Sequence, residues 1–307
     1  MTDDIGLWGV PLAILGGAIR VSTPFIFVSI GECLTERSGR INLGLEGTLV
    51  FGAMSGYAVA YHTGSPWLGT LAAAFAGLLF GLLHGWICKM PRVNDIAIGI
   101  ALMIFGTGLA FFFGKPYVQP VAPDLPAIPL GFWSGSPQVA AALNVNVLFL
   151  IGVVLAFAAA WMLKNTRVGL TIRVTGDSAD AARAIGIDVN RVRLWSTAAG
   201  GALAGVGGAY LSLYYPGSWN EGISSGQGLM AVALVIFARW NPVNCLYASL
   251  LFGGAGALGP ALQSVGVTSG YYLFYAAPYV LTLGLLVATS SPTRAMPSAP
   301  GELSITK

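Results

Sequence analysis

Apolar runs of near-constant length, separated by short polar breaks, recur from one end of the 307-residue chain to the other. A helix needs roughly 20 mostly apolar residues to cross the hydrocarbon core of a bilayer. By that measure the pattern predicts spanning helices over residues 7–34, 44–62, 66–88, 93–114, 146–163, 194–215, 226–238, 243–260 and 270–289. The run 226–238 is short enough to be a broken or half-buried helix. The expected fold is all-α and integral to the membrane: a polytopic helical bundle of about nine transmembrane segments, read as a single domain over 1–307.

The polar breaks set the orientation. Lys and Arg concentrate in cytoplasmic loops, and with the N-terminus outside and the C-terminus cytoplasmic, 13 of the 15 basic residues fall on the inner side. Lys115 falls in an outer loop, and Arg20 lies inside the first apolar run. Cys33, Cys88 and Cys245 all sit near inner helix ends, in the reducing compartment. Two breaks are long. The outer loop 115–145 holds six prolines, too many for helix and suited to a rigid extended surface. The inner loop 164–193 contains a predicted short helix, with Asp177 as its cap, Asp180 at the positive end of its dipole, a small alanine face and Gly186 as its stop.

Composition changes the picture in only one respect. Hydrophobic residues make up 55% and charged residues 9%, against about 25% charged in a soluble domain, so lipid must be the solvent for most of the chain. The net charge of +3 is too small and dispersed for nucleic-acid binding. Thr2, Asp3 and Asp4 stand where a cleavable signal peptide would be basic. The 42 glycines suit close helix packing, with Gly77, Gly81 and Gly85, Gly52 and Gly56, and Gly201 and Gly205 each recurring along one helix face. That packing is expected mainly within the subunit.

Candidate chemistry is sparse. Gly222–Gly226 fits a hydrolase nucleophile elbow, but both histidines, His62 and His84, precede it. Gly254, Gly256 and Gly259 fit a dinucleotide fingerprint without the βαβ unit it requires. No lysine is followed by Ser or Thr, so the chain lacks the lysine that cradles ATP phosphates. No catalytic residue, metal set or cofactor is expected. Ionisable residues in apolar segments are costly unless paired or facing water. Glu32, Glu36 and Glu46 are expected to pair with Arg37 and Arg40 at the inner surface. Arg20 has no such partner in sight.

The stretch Thr35-Glu36-Arg37-Ser38-Gly39-Arg40-Ile41-Asn42-Leu43-Gly44-Leu45-Glu46-Gly47 closely resembles a signature of bacterial permeases in the nucleoside and simple-sugar branch of ABC importers, a larger group that includes ribose and branched-chain amino acid permeases. Gly176-Asp177 through Arg193, and Ala233 through Pro242, fit the same branch in the same order. The chain departs from the pattern at Asn94-Asp95, where the family has an uncharged residue after the asparagine. The resemblance implies a permease subunit in a bacterial inner membrane, importing a nucleoside, sugar or related small polar solute. It further implies a second, related permease subunit, separate ATPase subunits and an extracytoplasmic solute-binding protein. The 177–185 helix would couple to the ATPase through Asp177, Ser178, Asp180, Ala182, Arg183 and Ile185. Phe25, Glu46, Asn94, Asp95 and Gln227 are candidates for the solute path. The competing reading is an ion-coupled secondary transporter, for which no clear inverted repeat is visible.

Overall fold

The computed structural model describes residues 9–264, 274, 276–289 and 299–303. In chain order its helices are α1 (Gly9–Arg37), α2 (Leu45–Thr63), α3 (Pro66–Ile87), α4 (Asp95–Gly114), α5 (Pro137–Ala142), α6 (Val147–Asn165), α7 (Arg167–Asp177), α8 (Ala179–Ala184), α9 (Val189–Leu213), α10 (Gln227–Phe237), α11 (Pro242–Ser264) and α12 (Ala277–Thr289). All nine apolar runs carry a helix; the predicted start of the last lies largely outside the described residues. Capping fixes several starts, because the first turn of a helix leaves its N–H groups without partners. Asn94 accepts from Ile96 N and Ala97 N at 2.9 and 3.1 Å, Asn146 from Leu148 N at 2.8 Å, and Asp188 from Arg191 N at 3.1 Å.

Five of the described helices are long and apolar enough to cross a membrane: Val10–Arg37, Pro66–Ile87, Asp95–Tyr117, Val147–Asn165 and Pro242–Gln263. α2 and α9 are less apolar because they face protein rather than lipid. α9 packs along α1, α2 and α3, while α2 also packs on α3 and α4. The glycine rows make this closeness possible. A Cβ on Gly81 would come 2.8 Å from Ala198 Cα, and one on Gly52 would come 2.7 Å from Gly205 Cα. These rows join helices of one chain, as their spacing suggested.

Both long loops are more ordered than expected. Within 115–145, Ala127–Pro129 (β1) pairs antiparallel with Asn144–Asn146 (β2), and α5 begins at Pro137. Proline is harmless at a first helical position, where its missing N–H would have no partner. Arg20 donates to Ala141 O at 2.6 Å, so this cation serves the last turn of α5. In 164–193, an additional amphipathic helix, α7, precedes the short one.

Candidate functional site

The first 47 residues position the site. Glu46, in the first turn of α2, is buried. Its carboxylate accepts from Ser224 Oγ at 2.5 Å, Gly226 N at 3.0 Å and Gly228 N at 2.6 Å. These donors start α10, which Gly226 enters with φ +83°, a left-handed conformation natural to glycine. An acid thus closes the positive end of a helix whose first N–H groups have no partners within it.

This contact lies at mid-height. A Cβ on Gly47 would come 2.7 Å from Met103 Cα, and Met103 sits about 12 Å from the start of α4 and about 16 Å from its end at 1.5 Å per residue. Trp219, in contrast, lies with its indole directly against Gly114 at the far end of α4, where a Cβ would collide with it. The chain therefore descends along α4 between Trp219 and Gly226. With 11 residues, α10 spans about 16 Å, roughly half of a bilayer core. Beside the descent is a cavity of about 540 Å³, floored by Glu46 and lined by Met103, Thr107 and Phe111 of α4 and by Glu221 and Ser224–Gly226.

Of the five solute-path candidates, Glu46 lines this cavity. Gln227 adjoins it in sequence, with its buried Oε1 lacking a hydrogen-bond partner. Phe25 is buried edge-on against Phe252, ring centroids 4.9 Å apart. Asn94 caps α4, and Asp95 pairs with Arg40. The structure thus brings Glu46 and Gln227 together and leaves the other three elsewhere. Thr107, Glu221, Ser224 and Ser225 were not anticipated. Ser224 and Ser225 did stand out in the Gly222–Gly226 match, whose turn opens a helix rather than an esterase site.

The expected inner-surface ion pairs do not form as anticipated. Glu32 accepts from Asn42 N at 2.8 Å, and Glu36 accepts from Trp240 Nε1. Arg37 donates through Nε to Trp240 O at 2.8 Å, and Arg40 reaches Cys88 O at 2.5 Å as well as Asp95. A backbone and an indole donor serve one oxygen of each acid, while Glu32 Oε2 stays buried without a hydrogen-bond partner. Neither acid draws on Arg40, which instead joins the loop after α1 to α3 and α4. Cys88 itself is buried, its side chain beside His84.

These bonds also gather the three signature stretches at the C-terminal end of α1. Gly176 lies directly on the Arg37 carbonyl, where any side chain would collide, and Arg193 Nε donates to Ser38 O at 3.1 Å. Ser178, not Asp177, caps α8, accepting from Ala181 N at 3.2 Å; Asp177 ends α7. Asp180 pairs with Arg183 at 2.8 Å on the exposed face. Ala182, expected to face outward, is fully buried with Ala179 and Val189. The outward face is instead Asp180, Ala181, Arg183, Ala184 and Ile185, the last 68% exposed.

Residues 14–289 match the family model described as "Branched-chain amino acid transport system / permease component". The chain is similar to a Lactococcus lactis subsp. cremoris protein named nucleoside ABC transporter permease protein NupC, at 30% identity over 89% of this chain and 90% of that one. It is similar to guanosine ABC transporter permease protein NupQ of Bacillus subtilis, at 30% identity over 88% and 89%. A second Lactococcus lactis protein, nucleoside ABC transporter permease protein NupB, is 22% identical over 88% and 81%.

Proposed function

Because this chain belongs to the permease-component family of branched-chain amino acid transport systems, we propose that it is the membrane permease subunit of an ATP-binding-cassette importer for a nucleoside or related small polar solute. The observation that carries this reading is the cavity at mid-height, where α10 begins. A half-length helix gives a membrane protein the irregular polar backbone that a solute site requires, because such backbone is tolerated at that depth only beside protein or a cavity. Glu46, Glu221, Thr107, Ser224 and Ser225 offer carboxylates and hydroxyls, and among the described residues the lining holds no lysine or arginine. That chemistry suits an uncharged hydroxylated ring and disfavours phosphate. The relatives named for nucleoside and guanosine transport support the same class.

In the proposed topology nine segments cross the membrane from an outer N-terminus to a cytoplasmic C-terminus in a bacterial inner membrane, the seventh completed by the extended stretch before α10. The chain acts as one permease domain, and its loop 164–193 presents α8 to a separate ATPase. The pairing of two named nucleoside permeases in Lactococcus lactis supports a related second permease as partner. An extracytoplasmic protein delivers the solute. ATP-dependent uptake by the purified complex tests the reading. Thr107→Trp, which fills the cavity, should abolish uptake while the complex assembles, and Ile185→Asp should release the ATPase. Normal import by both variants overturns the proposal.

A further inference from the structure

The short segment Ala299–Leu303 lies against α7 and α8. Glu302 is its centre. One carboxylate oxygen accepts the N–H of Ala179, the first residue of α8, at 2.9 Å, and the other meets Arg193 Nη2 at 3.1 Å. Arg193 in turn holds Ser38 O, at the C-terminal end of α1. Gly301 lies on the Asp177 carbonyl. Ala299 and Leu303 pack on the cluster that contains Ala238, Trp240 and Cys245. The segment therefore touches α7, α8, α9 and the Ala238–Cys245 cluster, all of which lie around the C-terminal end of α1.

A six-residue helix cannot hold itself together in water, since nucleation costs more than so few bonds return. The direction in which α8 points must be imposed from outside. Ala179 and Ala182 supply one attachment, against Val174, Ile187 and Val189. Glu302 supplies another, at the backbone N–H of Ala179, and it does so with a charged acceptor. The side chains of Glu302 and Arg193 are 26% and 13% exposed, so solvent screens their attraction only in part.

We infer that Ala299–Leu303 is a strap that holds α8 in register with the C-terminal end of α1, with Glu302 as its positioning residue. The consequence for transport rests on the proposed coupling role of α8; the strap itself does not. Through the strap, a shift of α1 or α9 during the transport cycle moves α8 with it.

The test uses the full-length permease assembled with its partner permease and ATPase. In Glu302→Ala, amide hydrogen exchange over residues 179–182 should quicken about tenfold while exchange in α3 and α4 stays unchanged. Glu302→Gln, which keeps an acceptor for Ala179, should show a smaller increase. ATP hydrolysed per solute imported should at least double in Glu302→Ala, with the ATPase still attached. Unchanged exchange overturns the strap, whatever transport shows. Quickened exchange with an unchanged ratio overturns the positioning role. Glu302→Ser, whose side chain is too short to bridge Ala179 and Arg193, is read in the same way should Glu302→Ala fail to accumulate. A failure of Ile185→Asp to release the ATPase would strike the coupling reading alone and leave the exchange result standing.

Discussion

Replacing Glu46 probes the anchor on which the cavity depends. The carboxylate receives three donors, at 2.5, 3.0 and 2.6 Å. Hydrogen bonds to a charged partner contribute about 1.5–3 kcal/mol each, and a buried donor left unpaired costs a comparable amount. In Glu46→Ala the Ser224 hydroxyl can rotate toward another acceptor, but the N–H groups of Gly226 and Gly228 are fixed. Two stranded donors amount to about 4 kcal/mol. Glu46→Gln keeps an oxygen for Ser224 and Gly226 and turns an NH₂ toward Gly228 N, for about 2 kcal/mol. Ser224→Ala removes one bond and costs about 1.5 kcal/mol. For a chain of this size, about 2 °C of melting temperature corresponds to 1 kcal/mol. Thermal unfolding in detergent should therefore fall by about 8, 4 and 3 °C in that order. A melting temperature of Glu46→Ala within 2 °C of the parent (about 1 kcal/mol), or no difference between the Ala and Gln variants, would refute the reasoning.

Other expectations follow from the inner and outer surfaces. Ser178→Cys should be labelled by an impermeant maleimide only after the cells are opened, and Ser134→Cys in intact cells; the reverse would invert the topology. Arg40→Ala removes the bonds to Asp95 and Cys88 O and should cost more than Asp95→Asn, which keeps a hydrogen bond: about 3 against about 1 kcal/mol in the same melting assay. Cys88, with 2% of its surface exposed, should resist maleimide at pH 7.5 and at pH 9, because a reagent cannot reach a buried thiol. Rapid labelling of Cys88 in the folded protein would show the site to be open.

The spacing of apolar residues located the helices, because lipid demands a fixed length of apolar chain wherever a helix meets it. It also marked 226–238 as a partial span and Gly77, Gly81 and Gly85 as a packing face. What it could not supply was the partner of each polar group. Glu46 and Arg40 lie six residues apart, and in sequence they look like neighbours that should pair. In three dimensions Glu46 meets a turn 178 residues further on, while Arg40 crosses to Asp95. Arg20, anomalous in an apolar run, closes a helix 121 residues away. The outward face of α8 was likewise undecidable from its six residues, since alanines at 179, 181, 182 and 184 surround the helix and only packing against Val174 and Val189 selects which are buried. Long-range burial and hydrogen bonding decide such matters. A single polar residue in an apolar chain states that a partner is required, and only the tertiary structure states which one.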